Sequence, residues 1–592
     1  MQKEKYKQAF KKIIFHPLTL AIIVFLIVHI FNISRFDFLA QKDSYFWLLK
    51  YEDNLRYNTV NDYRQLFSAL MISIHYLTGL RLFDIFKYLM PLSFLTTFLP
   101  LWLVARNLKN KFSQFLLLLA PLGTATIILQ MEGTRPQIMA MLFLYFSLGI
   151  AVIAKKERNR DFAMILLGFL ALIGSLFHRV FVIFLLIWII VIFYEYWRIF
   201  LQNKIKFFVL AFLAIPWMEK IEARSMILIA FKSLKEIFNK IFINPQFNFQ
   251  FPMHYVNIDG KQIDWDNLSG VAKHYAFYVG PFFLTILFLI TILILFSEKF
   301  RKFIKDLVIK KEFIFIYLMI LFFLFIAEIL PRIGNSAYLP DRAWVFLGVL
   351  LILPLYFLLD YSEKELSKKT YANLLSILCI GLFISIFGSA YVNNNIKNII
   401  PDYKKESYVW IKNNIEQGSL FFSAGYTEML EYHSGMNVLT INGNIFKNND
   451  LSKLINVLKS NNKNKFDYDL YKENFGLLNK QTVSIKSILA KDEFSYVDLS
   501  RETKNARTII NSLFSQINSS TIIDVSRPLY IYFAEDDSNI PYKEKDYHMG
   551  DYLRLSKDDM KLLCDHPEYF TEIYDTDNVI IWKFLNENNN VQ

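Results

Sequence analysis

Over the first two thirds of the chain, hydrophobic residues come in long runs separated by short polar connections; over the last third they come in brief mixed stretches. A run of about 20 apolar residues carries a helix through the hydrocarbon core of a bilayer. Membrane-crossing helices are therefore predicted at roughly 13–33, 84–105, 112–130, 136–154, 161–178, 180–197, 206–218, 276–297, 313–330, 342–360 and 371–391, about eleven in all. Between the first two, Leu66, Leu70, Ile74 and Leu77 recur at helical spacing among polar residues, which predicts a helix lying along the membrane surface. After Tyr391 the periodicity changes. Segments such as Thr521 to Val525 and Leu529 to Phe533 read as strands, with helices expected around Ile485 to Leu489 and Ala506 to Ile517. The expected fold is a polytopic α-helical membrane module over 1–392, with large loops at 34–82 and 219–275, followed by a soluble α/β domain over 393–592.

Charge gives this pattern a direction. Lys3, Lys5, Lys7, Lys11 and Lys12 precede the first run, and Lys and Arg recur in alternate connections: Arg106 to Lys111, Lys155 to Arg160, Arg198 to Lys206, Lys299 to Lys311 and Lys364 to Lys369. Basic residues stay on the cytoplasmic side, so the N-terminus is expected in the cytoplasm. An odd number of crossings then places 393–592 outside, in a multi-pass protein of the cell membrane. No small-residue cleavage pattern follows the first run, which reads as a retained span. The composition agrees with a membrane protein: 54% of the 592 residues are hydrophobic, 58 are Phe, and the mean hydropathy is +0.29. The net charge of +12 does not imply nucleic-acid binding, because the basic residues sit in the short loops that set topology. Cys379 and Cys564 suggest neither a disulfide framework nor a metal site.

The candidate chemistry gathers at the predicted outer ends of the spans. Asp43 follows the first span and precedes Tyr45, Phe46 and Trp47, so its carboxylate can meet water while the rings stay in the interface. Glu132 and Arg135 join the third and fourth spans, His178 and Arg179 the fifth and sixth, and Arg332, Asp341 and Arg342 the ninth and tenth. Ionisable groups at such positions are costly and usually functional. Arginine forks suit phosphate oxygens, and a carboxylate serves as a general base or as a ligand for a hard cation. Each residue also has an ordinary structural role: Asp43 or Asp341 as a helix cap, Glu132 with Arg135 as a turn ion pair, His178 as a polar helix end. Their convergence on one side favours function. His75, His254, His274 and His433 show no metal-ligand spacing and read as surface or interface residues. No phosphate-cradling glycine motif or nucleophile elbow occurs, which argues against nucleotide-driven transport and serine hydrolysis.

These residues resemble the membrane glycosyltransferases of the GT-C superfamily, with an architecture like that of oligosaccharyltransferase catalytic subunits and protein mannosyltransferases. The likeness rests on Asp43 before its aromatic run, on the Leu77, Thr78, Gly79, Leu80 turn, on Glu132 with Arg135, and on Asp341 with Arg342 opening a late span. It extends to Glu406 through Asn414, which look like the lead into an outward C-terminal domain. The resemblance implies that Asp43 is the catalytic or metal-binding carboxylate, Glu132 a second active-site acid, and Arg342 a contact for a lipid-linked phosphate. Arg135, Arg179 and Arg332 join the phosphate set by position alone, with His178 and Asp341 in support. One departure stands out. Where oligosaccharyltransferases carry Trp-Trp-Asp-Tyr-Gly, this chain reads Leu420 through Glu428 without it, so transfer to an Asn-x-Ser/Thr sequon is not expected. The expectation is inverting transfer of a hexosyl or pentosyl group from a polyprenyl-phosphate donor to a glycan, lipid or protein acceptor, with Mg or Mn as the one cofactor admitted. A polysaccharide polymerase or ligase shares the donor. A transporter or flippase would need polar residues deep in the spans, where Leu, Ile and Phe dominate.

Overall fold

The computed structural model describes residues 16–34, 39, 42–57, 65–153, 157–178, 180–202, 275–308, 313–329, 340–396, and 400–440 apart from 418 and 424–426. Beyond these it describes 451–452, 455, 482–484, 496–498, 528–535, 539–541, 552–554 and 557–585. The chain divides into two compact units, one of Met1–Ser44 with Asp62–Asn398, the other of Tyr45–Asn61 with Ile399–Gln592.

The first unit is helical: α1 (Pro17–Ser34), the first residues of α2 (Lys42–Tyr57), α3 (Gln65–Thr78), α4 (Leu82–Ala105), α5 (Lys111–Leu119), α6 (Ala125–Glu132), α7 (Gln137–Ile153), α8 (Glu157–Gly174) and α9 (Val180–Gln202). It continues with α10 (Pro281–Phe296), α11 (Glu298–Val308), α12 (Ile314–Ile329), α13 (Pro340–Leu350), α14 (Ile352–Glu365) and α15 (Lys368–Ile396). Among the described residues three helices, Leu82–Ala105, Ala343–Glu365 and Lys368–Tyr391, are long and apolar enough to cross a membrane, and two bent pairs raise this to five. The protein is a multi-pass membrane protein. The predicted span at 206–218 lies outside the described residues, as do the loop 219–275 up to residue 274 and the histidines His254 and His274.

Several predicted spans are not simple rods. The run at 112–130 bends by 72° where Lys111–Gly123 meets Ala125–Glu132. Pro121 removes an amide donor there, and the extended Thr124 ends the ladder. The carbonyl of Gly123 is met by Ser385 Oγ at 2.8 Å, and Thr124 Oγ1 donates to the Val279 carbonyl at 3.1 Å, so the break is satisfied by neighbouring helices. The other bend, 109°, separates α10 from the basic α11. Ser297 Oγ accepts from the Phe300 amide at 3.2 Å and starts α11, while Arg301 caps the carbonyls of Ile294 and Leu295 at 3.0 Å. The helix predicted along 63–80 forms as α3 and ends at Gly79, whose φ of +70° is the left-handed close of a helix. Of the three long apolar helices among the described residues, Ala343–Glu365 is the most deeply buried.

The second unit is built on a five-stranded sheet in the order β2-β1-β5-β9-β8. In it β1 (Leu420–Ser423) runs parallel to β2 (Asn437–Thr440), while β3 (Thr482–Ser484) and β4 (Tyr496–Asp498) form a separate antiparallel ladder. On its other edge β1 runs parallel to β5 (Leu529–Ala534), and a second ladder joins β6 (Asn539–Pro541) to β7 (Tyr552–Arg554). The sheet is closed by β8 (Phe570–Asp575) and β9 (Val579–Phe584), antiparallel to each other, with β9 antiparallel to β5. Every residue of β5 is buried, as befits a central strand covered on both faces, and its apolar run was legible in the sequence. The helices α16 (Asp402–Asn414) and α17 (Thr427–Ser434) also belong here; α17 makes the crossover from β1 to β2. The predicted strand at 521–525 and the helices near 485–489 and 506–517 lie outside the described residues.

Candidate functional site

A buried polar turn of the first unit lies between α6 and α7. Glu132 closes α6 with only 5% of its surface exposed, Thr134 is buried, Arg135 is half-buried, and Gln137 opens α7 at 3% exposure. An ionised carboxylate in an apolar setting costs several kcal/mol unless its surroundings answer it, so burial of Glu132 marks a place where charge has a use. Gln137 carries a second signal. Its Nε2 is buried without a hydrogen-bond partner among the described residues, a state that native proteins rarely leave unexplained.

The turn is tied to α4. Thr134 Oγ1 donates to the Phe86 carbonyl at 2.6 Å, and Phe86 lies in the wide turn Ile85–Leu89, where the ladder slips to a π-helical register. Such turns often sit at functional sites because they release a backbone carbonyl and re-aim side chains. The side chain after Phe86 is Lys87, 8% exposed, with Nζ 5.1 Å from the centre of the Tyr88 ring and 5.9 Å from that of Phe83. The helical turn that carries the buried Lys87 is thus hydrogen-bonded, through the Phe86 carbonyl, to the turn that carries the buried Glu132. The sequence reading missed Lys87 although the signal was present: a charged residue three positions inside the run 84–105.

The other predicted residues are placed as follows. The backbone of Asp43 is in the first turn of α2, and that of Asp341 and Arg342 in the first turn of α13. Arg179 and Arg332 lie outside the described residues. His178 is buried, and its Nδ1 accepts from the Val180 amide at 3.2 Å, so this nitrogen serves the start of α9. That is the structural role of a helix end. α13 approaches α6, since a methyl group at Gly348 would stand 3.7 Å from Ile127 Cδ1.

Two solved structures are similar to this chain. One is ArnT from Cupriavidus metallidurans bound to undecaprenyl phosphate, at 9% identity and a TM-score of 0.48, covering 96% of this chain and 98% of that one. The other is the same protein in the apo state, at 10% identity and a TM-score of 0.47, covering 95% and 97%. No family model matches the chain, and no curated protein does.

Among the described residues no three His, Cys, Asp or Glu side chains gather into a group that would hold a metal ion.

In the second unit, His433, expected from sequence at a surface or interface, is half-buried. It sits among Tyr45, Tyr408 and Tyr432, with its ring stacked on Tyr408 at 5.6 Å and 3° and its Nε2 hydrogen-bonded to the Tyr45 hydroxyl at 3.1 Å. Burial pushes its pKa down to about 4, so the imidazole is neutral at physiological pH.

Proposed function

We propose that this protein transfers a sugar from a polyprenyl-phosphate donor to an acceptor hydroxyl at the outer surface of the membrane. The observation that carries the reading is the α6–α7 turn. It holds a buried carboxyl at Glu132, a half-buried guanidinium at Arg135 and the unpartnered Gln137 amide, and it is joined through Thr134 and Phe86 to the buried Lys87. A sugar phosphate asks for such a mixture: cations for the phosphate, and polar groups for sugar hydroxyls.

In the proposed reaction the acceptor O–H gives its proton to the Asp43 carboxylate as its oxygen bonds to the anomeric carbon. The bond from that carbon to the phosphate oxygen breaks, its electron pair stays on the phosphate, and the configuration inverts. Negative charge grows on the leaving polyprenyl phosphate, and Lys87, Arg135 and Arg342 are assigned to it. Fixed cations aimed at developing charge contribute several kcal/mol to such a step. Glu132 and Gln137 are assigned to the sugar.

The test compares release of polyprenyl phosphate from a panel of polyprenyl-phosphate sugars by membranes holding the wild type or Asp43→Asn at equal abundance. A fall of about a hundredfold or more is expected for loss of a general base. Equal release by both would take Asp43 out of the mechanism and favour a polymerase or ligase.

A further inference from the structure

The corner between α10 and α11, within the first unit, takes no part in the mechanism above. α10 ends in apolar side chains that stand in the open, with Leu295 62% and Phe296 83% exposed, and such a surface asks for hydrocarbon. At Ser297 the chain turns by 109° into α11. Spanning helices tilt on average about 20° from the bilayer normal, so a helix leaving one at this angle runs close to the plane of the membrane surface. α11 has two faces. Phe300, Phe303 and Ile304 share one of them by their spacing. Phe300 is fully buried, its ring 4.7 Å from that of Tyr361 on α14, and the Phe303 ring lies 5.3 Å from the same tyrosine. On the remaining surface Lys299, Arg301, Lys302 and Lys305 are exposed, as are Glu298 and Asp306.

Other connections of the same unit meet at this end. The Lys109 amide donates to Glu363 Oε2 at 2.9 Å, Ser113 is hydrogen-bonded to the Tyr371 hydroxyl at 2.5 Å, and Ser297 Oγ lies 3.3 Å from the Tyr361 hydroxyl. These bonds bring the α4–α5 connection, the end of α14 and the start of α15 to the start of α11, and with them the exposed Lys111, Lys368 and Lys369. Membrane topology asks only that a connection be basic; it does not ask for a helix that holds its cations in the surface plane beside an exposed apolar end. Arg301 is committed to the carbonyls of Ile294 and Leu295 at 3.0 Å, which leaves the three lysines for a partner. Their stems can lie along apolar surface while the ammonium groups reach phosphate. We propose that α11 is an in-plane helix that binds the headgroups of anionic phospholipids through Lys299, Lys302 and Lys305. The neighbouring apolar end of α10 fits the acyl chains of such a lipid, a feature that a soluble phosphate or a nucleic acid would leave unused.

The test follows binding of dioleoyl phosphatidylglycerol to the full chain in a non-ionic detergent, counted by native mass spectrometry. The wild type is compared with a triple variant, Lys299→Gln with Lys302→Gln and Lys305→Gln, and with the same three positions changed to Arg. A control triple, Lys405→Gln with Lys412→Gln and Lys561→Gln, removes equal charge from exposed positions of the second unit. A basic residue near an anionic surface contributes about fivefold, so the α11 Gln variant is expected to bind the lipid on the order of a hundredfold more weakly. The Arg variant stays within about threefold of the wild type and the control within about twofold, while dioleoyl phosphatidylcholine binds the wild type about tenfold more weakly than phosphatidylglycerol. Unchanged binding in the α11 Gln variant would overturn the proposal. So would an equal loss in the control, which would make net charge the cause, or an equal loss in the Arg variant, which would make the lysines packing residues. Equal binding of phosphatidylcholine would remove the anionic headgroup as the partner, and displacement of the lipid by an equal concentration of glycerol 3-phosphate would make the ligand a soluble phosphate.

Discussion

Buried ionisable side chains of this protein are tied to their surroundings in ways that substitutions can expose. Lys87 has its ammonium over the rings of Tyr88 and Phe83 inside an apolar helix, an arrangement that attracts a cation without neutralising it. Assigned to the leaving phosphate, Lys87→Met is expected to lower kcat about a hundredfold in the polyprenyl-phosphate release assay, with Lys87→Arg retaining the larger part of the activity. Unchanged kcat in Lys87→Met would leave Lys87 a packing residue. His433 gives a second expectation. Its pKa in the folded protein, about 4, lies below the ordinary 6.5, so the unfolded chain binds the extra proton first as pH falls. The stabilisation from the neutral imidazole is present above pH 6.5 and is lost as pH falls from 6.5 towards 4, up to about 3 kcal/mol. Melting curves across that window should slope more steeply for the wild type than for His433→Gln.

At the scale of elements, the broken helices matter most. Gly280 precedes α10 with φ +86° and ψ 142°, a region open to glycine and closed to residues with a Cβ. A Cβ there would also come within 2.5 Å of the Gly123 carbonyl oxygen, at the bend between α5 and α6. Gly280→Ala is therefore expected to destabilise the protein by about 2 kcal/mol or more, read as a lower melting temperature in detergent. A melting temperature equal to that of the wild type would show that the two segments are not held together at this point. The positions of the apolar runs were legible in the sequence because hydrocarbon solvation depends on composition and length alone. The breaks inside them were less so. Pro121 marks one, yet the 72° bend is held by Ser385 and by the segment before α10, which are remote in sequence and invisible to a local window.

For the molecule as a whole, orientation is the property with the widest consequences. The chain has two cysteines, Cys564 exposed in the second unit and Cys379 half-buried within α15. If the N-terminus is in the cytoplasm and the C-terminal unit outside, as proposed, a membrane-impermeant maleimide labels intact cells at Cys564, with the signal abolished by Cys564→Ser. Labelling that begins only after the membrane is opened would put that unit in the cytoplasm and would move the proposed reaction to the other side.

The sequence by itself determined that this is a membrane protein with a distinct C-terminal portion. It also determined the approximate place of most helices, the burial of β5, and the concentration of acids and arginines in a few connections. Each of these follows from composition, periodicity and spacing, which act locally. Only the tertiary structure decided that Glu132 and Gln137 are both buried and that the turn between them is hydrogen-bonded to the helix that carries Lys87. It alone assigned residues 45–61 to the C-terminal unit and made His433 the partner of Tyr45, 388 positions away. Contacts between residues so far apart carry no signature in one sequence, because each partner there is an ordinary tyrosine, lysine or histidine until the packing of helices and sheet brings it to its neighbour.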